Sequence, residues 1–441
     1  MARSHANIHT DPGSSPHHRN TFDGTKILIC ALEKLVTGEY SCSAVSTDGI
    51  RGRAVVMDAD LKSKPGIVHS TDHYDSWLLA LEPAFAHDLK QKLKVMAGEP
   101  GDFLRATFYR WSERLPGVCL ETISAPVVRA VGDVHVGNFG TWPSDGDVIR
   151  WGLNDFDETG WMPFTNDLVR LATSALLARD DLDPDLVGRT ILSGYSQRIE
   201  GGGFGALDVA DDAELRDNLE AAQPDAEAFF KKLKDKDRLD ADDARHLARL
   251  CERLNEAVPG GELHHRRAGR GSLGRVRVFI LGNGDPPVAV EAKRVLRSAW
   301  SWARRGGHAD PKAADDRNDD LSALLLDDRR GPDPQTRVEK IDHHQWVLRP
   351  LSPDRVGIDF GDVGKVSEVL ATRLLRLMGA EDAHVHLLSH NPAPLMSYLT
   401  DREPGWLTRA AVAMKEDTET DSEGWRTYRE AMDKKPAGGH G

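Results

Sequence analysis

Cysteine is scarce in this chain of 441 residues: four, at positions 30, 42, 119 and 251, with no Cys-x-x-Cys pair among them. That spacing excludes a zinc site built on thiolates and reads as free thiols in a reducing cytoplasm. Long apolar runs are also missing. No segment approaches about 18 consecutive apolar residues, so no membrane span is expected. The opening "MARSHANIHTDPGSSPHHRN" lacks the apolar core of a signal peptide. Excess positive charge is absent too. The formal net charge of -13 argues against a protein built to grip nucleic acid or an anionic membrane. Residues 1–24 and 431–441 are polar and read as disordered ends.

What is present is a globular composition, 39% hydrophobic and 29% charged. A domain usually takes about 100–200 residues, so this length fits two or three units or one two-lobed enzyme. Residues 75–115 have apolar positions at near-helical spacing. Residues 126–160 read as strand, loop, strand, loop, with a turn at "PSDG" and with Ile149, Trp151 and Leu153 alternating on one face. A helix is expected at 166–179, striped by Leu168, Leu171, Ala172, Ala175 and Leu176. Residues 211–257 read as two or three charged helices whose buried face carries Leu247, Leu250, Cys251 and Leu254. Past 260, "RVRVFIL", "PPVAVEAKRV" and "QWVLRPL" are strand-like. Residues 301–333 read as a charged surface insertion with one short helix at "LSALLL". Residues 361–380 predict an amphipathic helix with Val366, Val369, Leu370 and Leu374 on its buried side, stopping near Gly379.

The stretch "VGDVHVGNFG" (131–140) places an acid, a histidine and an amide among three glycines. Phosphoryl transfer from a nucleotide needs a carboxylate to orient the nucleophile, oxygen ligands for magnesium, a lysine at the phosphates and a glycine loop to cover them. Magnesium prefers hard oxygen donors. Asp133 fits the first role and Asn138 the second. His135 belongs to the same candidate catalytic loop and by itself reads as its brace. Seventeen residues after Asn138, "NDFDET" puts Asp155 at the end of an apolar strand. That is the layout of the metal-binding Asp-Phe-Gly element of kinases, with Asp157 in the glycine's place as a candidate second ligand. Asp167, at the next helix start, is read as a cap and a brace of the catalytic loop.

The second half supplies the remaining parts. "GRGSLGRV" is a G-x-G-x-x-G-x-V pattern with Gly269, Gly271, Ser272 and Gly274 as nucleotide-covering positions. A dinucleotide-binding turn would need a strand before it and a helix after it. Here a strand follows, with Val276, Val278 and Ile280 alternating, as in the nucleotide-covering hairpin of kinases. The next strand, "VAVEAKR", carries Lys293, in the place of the lysine that meets the α- and β-phosphates. Glu339, in a short helix, is the candidate partner of that lysine. Arg349 is read as an anchor between lobes.

These parts come in the reverse of the usual kinase order. The fold class expected is α+β: a two-lobed, protein-kinase-like fold with circularly permuted connectivity. A helical catalytic lobe would be built from 25–258 and 356–430. A small antiparallel-sheet nucleotide lobe, 259–355, would lie between them.

The stretches "KVMAGEPGDFLRATFYRW", "GDVHVGNFG", "NDFDETGWMPFTNDLVRLATSALLA", "GRGSLGRVRVFIL…VEAKR" and "WVLRPL" resemble an uncharacterised bacterial family, domain of unknown function 2252. That resemblance runs from about 90 to 355 and implies a common fold without an activity. Ala106 stands where the family tends to have glycine, and "AEDAHVHLLSHN" departs from its usual C-terminal pattern. The local motifs also resemble those of aminoglycoside and other small-molecule phosphotransferases. This implies Asp133 as catalytic base, Asn138 and Asp155 as metal ligands, Asp167 as a structural acid, and ATP, Mg2+ and a small-molecule hydroxyl as ligands. Two other readings stay open: a nucleotide-binding regulator without transfer activity, and a metal-dependent phosphohydrolase using Asp133, His135, Asp155 and Asp157.

Overall fold

Helical spacing at both ends of the chain and two-residue alternation between them build a mixed α+β molecule with small antiparallel sheets. The computed structural model describes residues 66–81, 86–202, 205–267, 269, 271, 273–306 and 318–434. The expectations for residues 1–24 and 435–441 and for Cys30, Cys42 and Ser272 lie outside these residues, whereas residues 431–433, expected in a disordered end, are helical. Cys119 and Cys251 are free thiols. Among the described residues, no helix is long and apolar enough to cross a membrane.

Among the described residues, four helices come first: α1 (Ile67–Leu81), α2 (Ala86–Val95), α3 (Pro100–Ala106) and α4 (Phe108–Val118). Strands β1 (Val127–Ala130), β2 (Phe139–Pro143), β3 (Ile149–Leu153) and β4 (Gly160–Pro163) follow, then α5 (Thr165–Ala178), α6 (Pro184–Gly201) and the short β5 (Leu207–Asp208). Strands β1 and β4 pair, and β2, β3 and β5 form a second antiparallel sheet. The "VGDVHVGN" loop joins β1 to β2, and the "NDFDE" loop joins β3 to β4. The two strand pairs therefore bring both loops to one end.

Where two or three helices are expected at 211–257, four form: α7 (Ala213–Ala222), α8 (Ala226–Lys234), α9 (Ala241–His246) and α10 (Ala248–Ala257). Asp212, Asp225 and Asp240 each cap one through their side chains. Then come β6 (Glu262–His265), β7 (Arg277–Leu281), β8 (Ala289–Arg294), α11 (Ala299–Arg304), α12 (Asp319–Leu325), β9 (Arg337–Ile341) and β10 (His344–Pro350). These five strands form one antiparallel sheet in the order β6-β7-β8-β10-β9. Alternation gives the sheet two different faces. Val276, Val278, Ile280, Ala292, Trp346 and Leu348 pack on Leu250 and Leu254 of α10. The other face has an apolar end, where Phe279, Leu281 and Ala289 meet Leu233 of α8. Its other end carries Arg277, Glu291, Lys293 and Arg349 in cross-strand register.

Helices α13 (Glu368–Leu387), α14 (Pro392–Thr400) and α15 (Trp406–Asp433) complete the main core. Helix α13 does not stop at Gly379. That glycine lies where α13 crosses α6, and a Cβ there would run into the Ile191 carbonyl; a Cβ on Gly194 of α6 would likewise meet the Arg376 carbonyl. The two glycines let the helix backbones approach closely. Val366, Leu370 and Leu374 are buried as expected, but Val369 faces outward at 75% exposure. The end of the expected surface insertion is also inward-facing: Leu321, Leu324 and Arg330 are buried.

Candidate functional site

The β1–β2 loop, which carries Asp133, His135 and Asn138, is held by its backbone. Asp167, wholly buried in the first turn of α5, accepts from the amides of Val131 (2.7 Å) and Gly132 (3.0 Å). It braces the loop as expected but does not cap its own helix. Asn166 Nδ2 donates to Asp167 Oδ1 at 2.8 Å, and His386 Nε2 lies 3.1 Å from Asp167 Oδ2. Tyr195 Oη, 2.8 Å from His386 Nδ1, extends this buried chain. Next to it, Asp382 is pushed well above the usual carboxylate range by burial and by its neighbours Asp167 and Glu381.

Asp133 projects from this braced loop. Its Oδ1 accepts from Arg170 Nε at 2.8 Å and from Arg170 Nη2. Arg170 is itself buried against the rings of Phe108 and Trp111, 5.0 and 4.8 Å away. Burial pushes the Asp133 carboxyl up to about 7, against the pull of Arg170, with Glu158 and Asp155 adding to the rise. His135 Nδ1 accepts from the Gly137 amide at 3.1 Å, which makes it a brace within the loop. Asn138 Nδ2 donates to the Asp133 carbonyl at 2.8 Å, and Asn138 lines the cavity.

In the β3–β4 loop, Phe156 is buried and turns Asp155 and Asp157 toward the sheet. Lys293 Nζ lies 3.1 Å from Asp155 Oδ1 and also pairs with Asp157. Asp155 is 41% exposed and Asp157 12%. Burial alone would raise the Asp155 carboxyl. Lys293, Arg277 and Arg349 outweigh it and hold Asp155 well below the usual carboxylate range.

Glu339 does not partner Lys293. It lies in strand β9 rather than a helix, opposite Trp346, and so shares the face that looks toward α10. There it takes two 2.8 Å bonds from Arg253. The lysine's carboxylates come from the β3–β4 loop instead.

The glycine-rich segment does join two adjacent antiparallel strands, β6 and β7. Gly269 and Gly274 take positive φ, +78° and +92°. Gly271 sits against α3 and the β1–β2 loop: a Cβ there would lie 2.8 Å from the Arg105 carbonyl and 3.1 Å from Asp133 Oδ2. Parts of the chain more than a hundred residues apart thus meet across one cleft.

Two groups escaped the sequence reading. Glu158, directly after Asp157, pairs with Arg275 and accepts from the Ala299 amide at 2.6 Å, tying the glycine hairpin to α11. Glu291, two residues before Lys293, is fully buried; it accepts from Arg266 Nε (3.0 Å) and Arg349 Nε (3.0 Å), and Arg277 Nε lies 2.9 Å from its Oε1 as an ion pair. Burial would raise its carboxyl, but the three guanidiniums and Lys293 hold it far below the usual range. Arg349 is therefore bonded within its own sheet rather than between lobes. The available signal was charge at alternate positions of otherwise apolar strands.

A cavity of about 980 Å³ opens here, lined by Asp133, Asn138, Asp155 and Asp157, by Gly269 and Gly271, and by Arg105, Arg266, Arg277 and Arg349. A second, of about 560 Å³, adjoins it at Asp155 and Asp157 and is walled by Trp142, Phe156, Leu321, Leu325 and Val347. Helix α12, from the expected surface insertion, thus forms part of a cavity wall.

Residues 85–256 match the model of a family described as an uncharacterized protein conserved in bacteria, DUF2252. The match contains Asp133, Asn138, Asp155, Asp157 and Asp167 and ends before the glycine hairpin and Lys293. No curated protein and no solved structure matches the chain.

Proposed function

We propose that the chain is an ATP- and Mg2+-dependent phosphotransferase acting on the hydroxyl of a small molecule, with a two-lobed, kinase-like arrangement in permuted order. The observation that carries this reading is the meeting of Lys293 with Asp155 and Asp157 beneath a glycine hairpin that reaches Asp133. Phosphoryl transfer asks for positioning and charge stabilisation more than for covalent chemistry, and these groups supply both. The hairpin joins the first two strands of its sheet and the lysine lies on the third, as the lysine does in kinases.

In this reading Asp133 orients the incoming hydroxyl and takes its proton. The Asn138 side-chain oxygen and the half-exposed Asp155 carboxylate are oxygen donors suited to Mg2+, which when bound would neutralise and orient phosphate oxygens. Asp157, clasped by Lys293 and only 12% exposed, serves as the lysine's anchor. That is the role first sought in Glu339.

Asp133→Asn is expected to abolish Mg2+-dependent release of phosphate from γ-labelled ATP while ATP still binds. Asp155→Ala should weaken ATP binding in Mg2+ by isothermal titration and leave Mg2+-free binding largely unaltered. Wild-type turnover in Asp133→Asn, or no ATP binding with Mg2+ present, would defeat the proposal. Binding without turnover in the wild type would favour a regulator, consistent with Arg170 and Gly271 already crowding the Asp133 carboxylate.

A further inference from the structure

The phosphotransfer reading leaves Glu291 and its arginines unused. A glutamate at that depth needs compensation, but one cation would supply it. Here Arg266, Arg277, Arg349 and Lys293 face Glu291, Asp155 and Asp157, four cations to three carboxylates, so positive charge is in excess. Each approaches through Nε. Arg266 and Arg349 spend only that nitrogen: among the described residues, no acceptor is bonded to their terminal Nη groups. Both side chains are about a quarter exposed, 23% and 25%, and both line the cavity that holds Asp133 and Asp155.

A guanidinium held by Nε presents its remaining N–H donors as a fixed fork, matched to the oxygens of a phosphate. Glu291 orients two such forks and the buried Arg277 from one point. We infer that Arg266, Arg277 and Arg349, aligned by the buried Glu291, form a subsite for phosphate-type anions, beside the groups already assigned. This inference rests on the phosphotransfer reading only for what the anion is attached to: the nucleotide's own phosphates or an anionic acceptor.

The test is isothermal titration of the full chain with inorganic tripolyphosphate in Mg2+-free buffer, where the Asp155-dependent route is silent. Charge-assisted hydrogen bonds of this kind carry enough energy that Arg266→Gln and Arg349→Gln should each weaken binding by about tenfold or more. Arg349→Lys keeps a cation on Glu291 but loses the fork. It should also bind weakly while melting like the wild type, which separates lost recognition from lost folding. A parallel titration with ATP distinguishes the sources. Equal losses for ATP and tripolyphosphate place the nucleotide's phosphates in the subsite. Loss for tripolyphosphate with ATP unchanged places an acceptor's anion there. Wild-type affinity for tripolyphosphate in all three variants, or no binding by the wild type, overturns the inference. Tripolyphosphate bound through these arginines without any Mg2+-dependent ATP binding would sink the phosphotransfer reading and leave the subsite standing.

Discussion

Asp133 and Asp155 are the same residue type lining one cavity, and their surroundings push them in opposite directions. Asp133 is buried with one arginine and neighbouring acids, which moves its carboxyl up to about 7. Asp155 faces Lys293, Arg277 and Arg349 and stays charged far into the acid range. Carboxylates separated in this way divide into a proton acceptor and a permanent anion. A base must be unprotonated to accept the hydroxyl's proton. Transfer should therefore rise as pH increases through about 7 and level off above it, with a single ionisation on the acid limb. Arg170 lowers the Asp133 value, so Arg170→Gln should shift that limb to higher pH. A pH–rate profile that is flat from 6 to 8, or a limb unmoved in the variant, would remove Asp133 from the role of base. The local motif made Asp133 and Asn138 legible in sequence, because loop residues five positions apart must share one place, and Asp155 stood out as an acid closing an apolar strand. Glu291 was not legible. Its partners come from three separated segments, and a glutamate between a valine and an alanine in a strand reads as an ordinary polar position.

Elements were legible where one periodicity ruled. Val276, Val278 and Ile280 alternate onto a single apolar face, and α5 follows its leucine and alanine stripe. Reading failed where the cause was tertiary. Strand β9, "RVEKI", is short and charged, and only pairing with β10 makes it a strand. Gly379 looked like a stop because glycine favours helix ends. Its actual role is contact, since α6 and α13 cross at Gly379 and Gly194 with no room for a Cβ. Replacing either glycine with alanine improves helix propensity by about 1 kcal/mol. Forcing a methyl into backbone at a tight crossing costs about 1–3 kcal/mol or more. Packing therefore wins, and Gly194→Ala should lower stability in urea denaturation. Val369→Ala, on the exposed side of α13, should stay within about 0.5 kcal/mol of the wild type. Equal stability for Gly194→Ala and the wild type would mean the two helices do not meet at this crossing.

At the scale of the whole molecule, everything proposed depends on one long-range closure. Asp155 and Lys293 are 138 positions apart in the chain and joined by a 3.1 Å contact. Asp157 belongs to the same clasp. Removing one partner of a buried pair leaves an uncompensated charge, whereas removing both leaves none. Lys293→Met should destabilise the protein by forcing Asp155 and Asp157 to face each other without their shared cation. Asp157→Asn should leave the lysine to Asp155 alone. If the clasp exists, the double variant will be more stable than the sum of the two single losses, with a coupling of about 0.5–3 kcal/mol. The measurement is a double-mutant cycle from denaturant midpoints in Mg2+-free buffer without nucleotide, so that ligand binding adds nothing to the comparison. Effects that add to within about 0.5 kcal/mol are what residues without a shared contact would give. In that outcome the glycine hairpin and its lysine would not close on the carboxylates of the first half, and a shared cleft for phosphate transfer would have no physical basis.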